Sequence, residues 1–104
     1  MKKKTDKNLA IARFFLMVKS EKEMQKLLDE LLTDSERGKI YERIKIIDSL
    51  LQGYSQRETV QKTGAAIATV GRGVNLIKRQ KLLMSALLKK AKTNAWWRNL
   101  FWCT

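Results

Sequence analysis

From residue 20 to residue 51, apolar side chains return every third or fourth position. Met24, Leu27, Leu28, Leu31 and Leu32 form one stripe, and Ile40, Ile44, Ile47, Leu50 and Leu51 form the next. A 3.6-residue period predicts amphipathic helices that each bury one face. Each stripe follows a hydroxyl residue with a carboxylate three positions on, Ser20 with Glu23 and Thr33 with Glu36; Ser55 with Glu58 repeats the pattern. At this spacing the hydroxyl and the carboxylate satisfy free backbone N–H groups reciprocally, which marks a helix start. Gly53 supplies a stop. Leu82, Leu83, Ala86, Leu87 and Ala91 predict another helix over 81–92. The period is never 2, so the expectation is an all-α fold of about six short helices.

The run Leu9-Ala10-Ile11-Ala12-Arg13-Phe14-Phe15-Leu16-Met17-Val18, behind Lys2, Lys3 and Lys4, imitates a secretory signal. Arg13 interrupts it, and Val18-Lys19-Ser20-Glu21 offers no small-x-small cleavage site. It therefore reads as a core-facing helix over 8–19 behind a basic arm at 1–7, in a cytoplasmic protein. No run reaches the roughly 18 apolar residues of a membrane span. The helices at 8–19 and 81–92 are apolar over more than one face, and a chain this small buries only part of its surface. Pairing with a second copy is the economical solution, and a homodimer is expected.

Composition narrows the chemistry. Of 104 residues, 44% are hydrophobic and 31% charged, enough for one folded domain. There is no histidine and one cysteine, Cys103, so zinc ligands, an internal disulfide and the commonest general base are missing. No catalytic or metal residues are expected, and the chain does not read as an enzyme. The formal charge is +12 and unevenly placed: residues 54–104 hold 10 Lys and Arg against the single acid Glu58, while residues 1–53 hold 12 against 9. Such a field draws in a polyanion.

Within the basic half, residues 55–79 read as a helix-turn-helix. Ser55 caps a helix to about Lys62, Gly64 takes the left-handed turn, and a second helix runs from about Ala66 to Arg79. Ile67, Val70, Val74 and Ile77 share one side and are expected to pack inward. Small residues at the start of the second helix let its end approach base edges, and later basic residues reach phosphates.

The segments Leu32-Thr33-Asp34-Ser35-Glu36-Arg37, Arg43-Ile44-Lys45-Ile46, Leu50-Leu51-Gln52-Gly53, Ser55-Gln56-Arg57-Glu58 and Gly64-Ala65-Ala66-Ile67-Ala68-Thr69-Val70-Gly71-Arg72-Gly73-Val74-Asn75 resemble the bacterial tryptophan-operon repressor (Trp repressor) family. The resemblance covers roughly 27–79. It implies a sequence-specific transcriptional repressor: an intertwined helical homodimer on a palindromic operator, gated by L-tryptophan as co-repressor. The Trp repressor is itself a standard example of helix-turn-helix docking, so this geometry comes from the family. Matched positions imply Thr33, Arg43, Arg72 and Gly73 at the ligand, and Arg57, Ala66, Ile67, Ala68, Thr69 and Lys78 at DNA. Arg43 and Arg72 suit an indole face and a carboxylate. The chain departs from the family at Leu76 and Val74, where serines stand, at Gly71 in place of a hydroxyl residue, and at Val60 in place of a lysine. The connection Gly53-Tyr54-Ser55 is one residue shorter.

The segment at 94–104 holds all three tryptophans, Trp96, Trp97 and Trp102. Trp97, Leu100 and Phe101 share a helical face and are expected to pack, closing the dimer. Two other readings stand beside the main one. A ligand-independent regulator or mobile-element DNA-binding protein keeps the helix-turn-helix without the co-repressor. A membrane-surface protein uses the basic arm with Lys89, Lys90, Lys92, Arg98 and the tryptophans.

Overall fold

The computed structural model describes residues 4–102, with side chains from Asp6 onward. The expected roles of Lys2 and Lys3 in the basic arm, and Cys103, lie outside the described residues. Six helices and no strands are present among the described residues: α1 (Lys4–Leu16), α2 (Glu21–Leu31), α3 (Asp34–Leu51), α4 (Gln56–Thr63), α5 (Ile67–Lys92) and α6 (Trp96–Phe101). The all-α expectation holds. The chain divides after Arg37 into two compact units.

In the first unit, α1 begins at Lys4 and ends at Leu16, not at 19, because the next helix claims the residues before it. Ser20 is the N-cap of α2 in extended conformation, and its Oγ accepts the Glu23 N–H at 3.1 Å. The return bond goes one residue further back, with the Lys19 N–H donating to Glu23 Oε1 at 2.9 Å. Before α3 the box is complete: the Glu36 N–H donates to Thr33 Oγ1 at 3.1 Å and the Thr33 N–H to Glu36 Oε1 at 2.9 Å. Arg37 closes the other end of α2, donating to the Leu28 and Asp29 carbonyls at 3.1 and 3.2 Å while pairing with Asp34. The Leu28 carbonyl also accepts the Leu32 N–H at 3.1 Å, and a cation at this end of the helix offsets its dipole. The expected core-facing character of α1 is not seen within this chain: Leu9, Ile11, Phe14 and Leu16 are exposed.

In the second unit, Ile46, Ala65 and Val70 form a small core with Leu50 and Val60 against it. Ser49 and Thr59, both fully buried, share a hydrogen bond of 2.8 Å that ties α3 to α4. Gln80 has non-helical backbone (φ −133°, ψ 37°), so α5 is two helical stretches on either side of a kink. The sequence pattern separates 66–79 from 81–92 at the same place. The C-terminal segment packs within its own chain: Phe101 stacks on Tyr41 of α3 at 4.8 Å and on Trp97 at 4.4 Å. Leu100, expected on the same face, is 64% exposed, and it meets α3 through its carbonyl, which accepts the Tyr41 hydroxyl at 2.7 Å.

Candidate nucleic-acid interface and the cavity beside it

The helix-turn-helix begins at Ser55. Its Oγ accepts the Glu58 N–H at 3.1 Å, and the Ser55 N–H donates to Glu58 Oε1 at 2.9 Å. These bonds hold the Glu58 carboxyl below its ordinary range: the Ser55 backbone N–H contributes most, then the Ser55 hydroxyl, with Lys62 adding an attraction. Helix α4 ends at Gly64, whose φ of +76° lies in the left-handed region that favours glycine. Thr63 ties down the same turn, its hydroxyl donating to the Thr59 carbonyl at 2.7 Å and accepting the Ala65 N–H at 3.2 Å. Ala65 is buried, and the chain then enters α5.

The start of α5 differs from the starts of α2, α3 and α4. Its N-cap is Ala66, which makes no side-chain cap hydrogen bond. Ala66, Ile67 and Ala68 are exposed, Ile67 at 58%, and Thr69 is half-buried. The expectation that Ile67 packs inward is corrected: it sits at the first position of the helix, before the turn that meets the core. Val70 is fully buried, and Val74 and Ile77 are half-buried. Arg57 on α4 and Lys78 on α5 are exposed, and among the described residues neither has an ion-pair partner. This surface presents small side chains, free backbone donors and unspent cations together, which suits a groove flanked by phosphates.

Beside it lies an open cavity of about 440 Å³ lined by Lys39, Glu42, Arg43, Ile46, Ile47, Thr69, Arg72, Gly73, Leu76 and Arg79. Three sequence-predicted ligand residues, Arg43, Arg72 and Gly73, come together here. Thr33 belongs to the first unit, where it caps α3. The floor is apolar and the rim carries four cations against one carboxylate, a set that takes a flat apolar body with an anionic group. Gly73 is buried because α5 crosses α3 there. Leu76 places an apolar side chain on the wall. Lys39, Glu42 and Arg79 escaped the sequence reading. The signal was present, since 39, 42, 43, 46 and 47 share one helical face and so do 69, 72, 73 and 76.

Among the described residues no helix is long and apolar enough to cross a membrane, and no group of His, Cys, Asp or Glu is placed to hold a metal ion. The sequence model of the family described as "Trp repressor protein" matches residues 9–92. A Trp operon repressor homolog of Aliivibrio fischeri (strain MJ11) is 39% identical over 75 residues, covering 67% of this chain and 69% of that protein. One from Vibrio cholerae is 41% identical over 59 residues, 56% of this chain and 57% of its own. One from Chlamydia trachomatis is 40% identical over 62 residues, 59% and 66% respectively. No solved structure matches the chain.

Proposed function

The chain belongs to the Trp repressor family of DNA-binding transcription regulators, which are not enzymes, and on that premise we propose that it is a sequence-specific, homodimeric cytoplasmic repressor. The observation that carries this reading is the start of α5. Its first turn has no side-chain cap and exposes only Ala66, Ile67 and Ala68 ahead of Thr69, so backbone donors and small apolar groups meet whatever docks there. In the proposal these four side chains face base edges in the major groove, with Arg57 and Lys78 on flanking phosphates. The dimer is supported by exposed apolar side chains that one chain leaves uncovered: Leu9, Ile11, Phe14 and Leu16 on α1, and Leu82, Leu83 and Leu87 on α5.

We further propose L-tryptophan as the co-repressor, held in the cavity with its indole between Arg43 and Arg72 and its carboxylate on Arg72. Gly73 leaves room on the floor, and Thr33 enters from the resemblance alone. A second reading rests on Leu76. An apolar wall where the family has serine favours a cavity that needs no ligand, in a constitutive regulator. Calorimetric titration of L-tryptophan, paired with duplex affinity with and without it, separates the two. A co-repressor gives heat and a gain of roughly 5- to 150-fold in duplex affinity. No heat and no gain leave the ligand-independent regulator.

A further inference from the structure

We propose that Trp102 and Asp48 are positioning residues for the DNA-reading helices, fastening the C-terminal segment to α3 so that the Trp102 ring holds α4 through Lys62. The proposal rests on the reading of α4 and α5 as the DNA-contacting pair, and its test has an arm that does not use DNA.

Asp48 is fully buried, and a buried carboxylate is costly unless paired and hydrogen-bonded. Its partners come from three places. The Gln52 amide donates to Oδ2 at 3.0 Å from the next turn of α3, the Trp102 indole N–H donates to the same oxygen at 2.7 Å, and the Lys92 ammonium at the end of α5 pairs with Oδ1. The carboxylate thereby fixes where the C-terminal segment lies, over a span of 54 residues in sequence. The Phe101 stack on Tyr41 aligns the same segment along α3.

So anchored, the Trp102 ring becomes a platform for cations. Lys45 of α3 and Lys62 of α4 each stand 4.8 Å from its centroid. Lys62 also lies 4.2 Å from the ring of Tyr54, in the connection leading into α4. A single α4 ammonium thus sits over two rings, one from the entry to the helix and one from the C-terminal segment. Cation–π attraction is strongest for tryptophan among the aromatic rings. The route from α3 to α4 through Asp48, Trp102 and Lys62 adds to the buried Ser49–Thr59 bond, and it reaches the last turn of α4, next to Gly64.

The test compares Trp102→Leu, Trp102→Phe, Lys62→Met and the double variant Trp102→Leu/Lys62→Met with the unmodified full chain. Amide hydrogen exchange is read helix by helix, and affinity is measured for the duplex that the unmodified protein selects from a random pool. Trp102→Leu and Lys62→Met are each expected to speed exchange in α4 by about threefold to tenfold, with α3 little changed. The double variant shows no more than the larger single effect, and Trp102→Phe, which keeps a ring, retains part of the protection. Duplex affinity falls in step with α4 exchange for Trp102→Leu. Unchanged α4 exchange in Lys62→Met, additive effects in the double variant, or an equal rise in every helix from α3 to α6 overturns the coupling. Faster α4 exchange with undiminished duplex affinity overturns its role in DNA reading. Should the unmodified protein select no duplex, the functional reading falls while the exchange arm still decides the coupling.

Discussion

Gly73 of α5 lies so close to Ile46 of α3 that a Cβ on the glycine would sit 2.6 Å from Ile46 Cγ2 and 3.4 Å from Leu50 Cδ1. This is where the second helix of the motif meets the core. Gly71, two residues earlier on the same helix, has open space at that position. The two glycines should therefore respond oppositely to alanine. Gly73→Ala is expected to destabilise the protein by about 1–3 kcal/mol through overpacking, and Gly71→Ala to stabilise it by up to ~1 kcal/mol through helix propensity. Urea denaturation at one fixed protein concentration checks both signs.

The Ser49–Thr59 hydroxyl pair makes a sharper test of what joins α3 to α4. Thr59→Val leaves the Ser49 hydroxyl buried without its partner and should cost about 1–3 kcal/mol. Adding Ser49→Ala removes the stranded group, so the double variant should recover much of that loss. Denaturation of the two singles and the double gives the coupling energy directly.

Acid should loosen α4 selectively through Glu58. Its carboxyl is depressed in the folded protein, so the stabilisation is fully present above the ordinary carboxylate value and is lost as pH falls through the lower folded value. Amide exchange of α4, followed from about pH 6 down to about pH 3, should rise more steeply in the unmodified protein than in Glu58→Gln. Parallel curves would remove the capping carboxylate from the account.

At the proposed interface, Arg57→Ala and Thr69→Tyr should fail differently. Arg57→Ala weakens binding to all duplexes alike and shallows the dependence of log K on log salt by about 0.9, the contribution of one phosphate. Thr69→Tyr blocks approach to the groove and abolishes sequence-dependent binding, with dimer mass unchanged. Gel shifts over a salt series, beside sedimentation, read both.

The helices were legible because their signals are local. Capping boxes at Thr33 and Ser55, the left-handed Gly64 and the break between 79 and 81 all depend on neighbours within a few positions. What escaped depends on distant partners. Asp48 reads as one more charge on a polar helix face, yet it is fully buried because Lys92, Gln52 and Trp102 converge on it. Trp97, Leu100 and Phe101 are expected to pack and close a dimer, but Phe101 and Trp102 meet α3 of their own chain, with Trp97 stacked on Phe101. Ile67 matched the apolar period and nonetheless stays exposed, since a periodicity marks a face without saying where along the helix the core begins. The cavity was half legible: Arg43, Arg72 and Gly73 were marked by resemblance, while Lys39, Glu42 and Arg79 appear only when α3 and α5 are brought side by side.

Selection of bound sequences from random duplexes, at low ionic strength and with L-tryptophan both present and absent, tests the central claim most directly. The account predicts enrichment of a palindrome whose half-sites are about one duplex turn apart. Recovery of the starting pool unchanged in both conditions would contradict it.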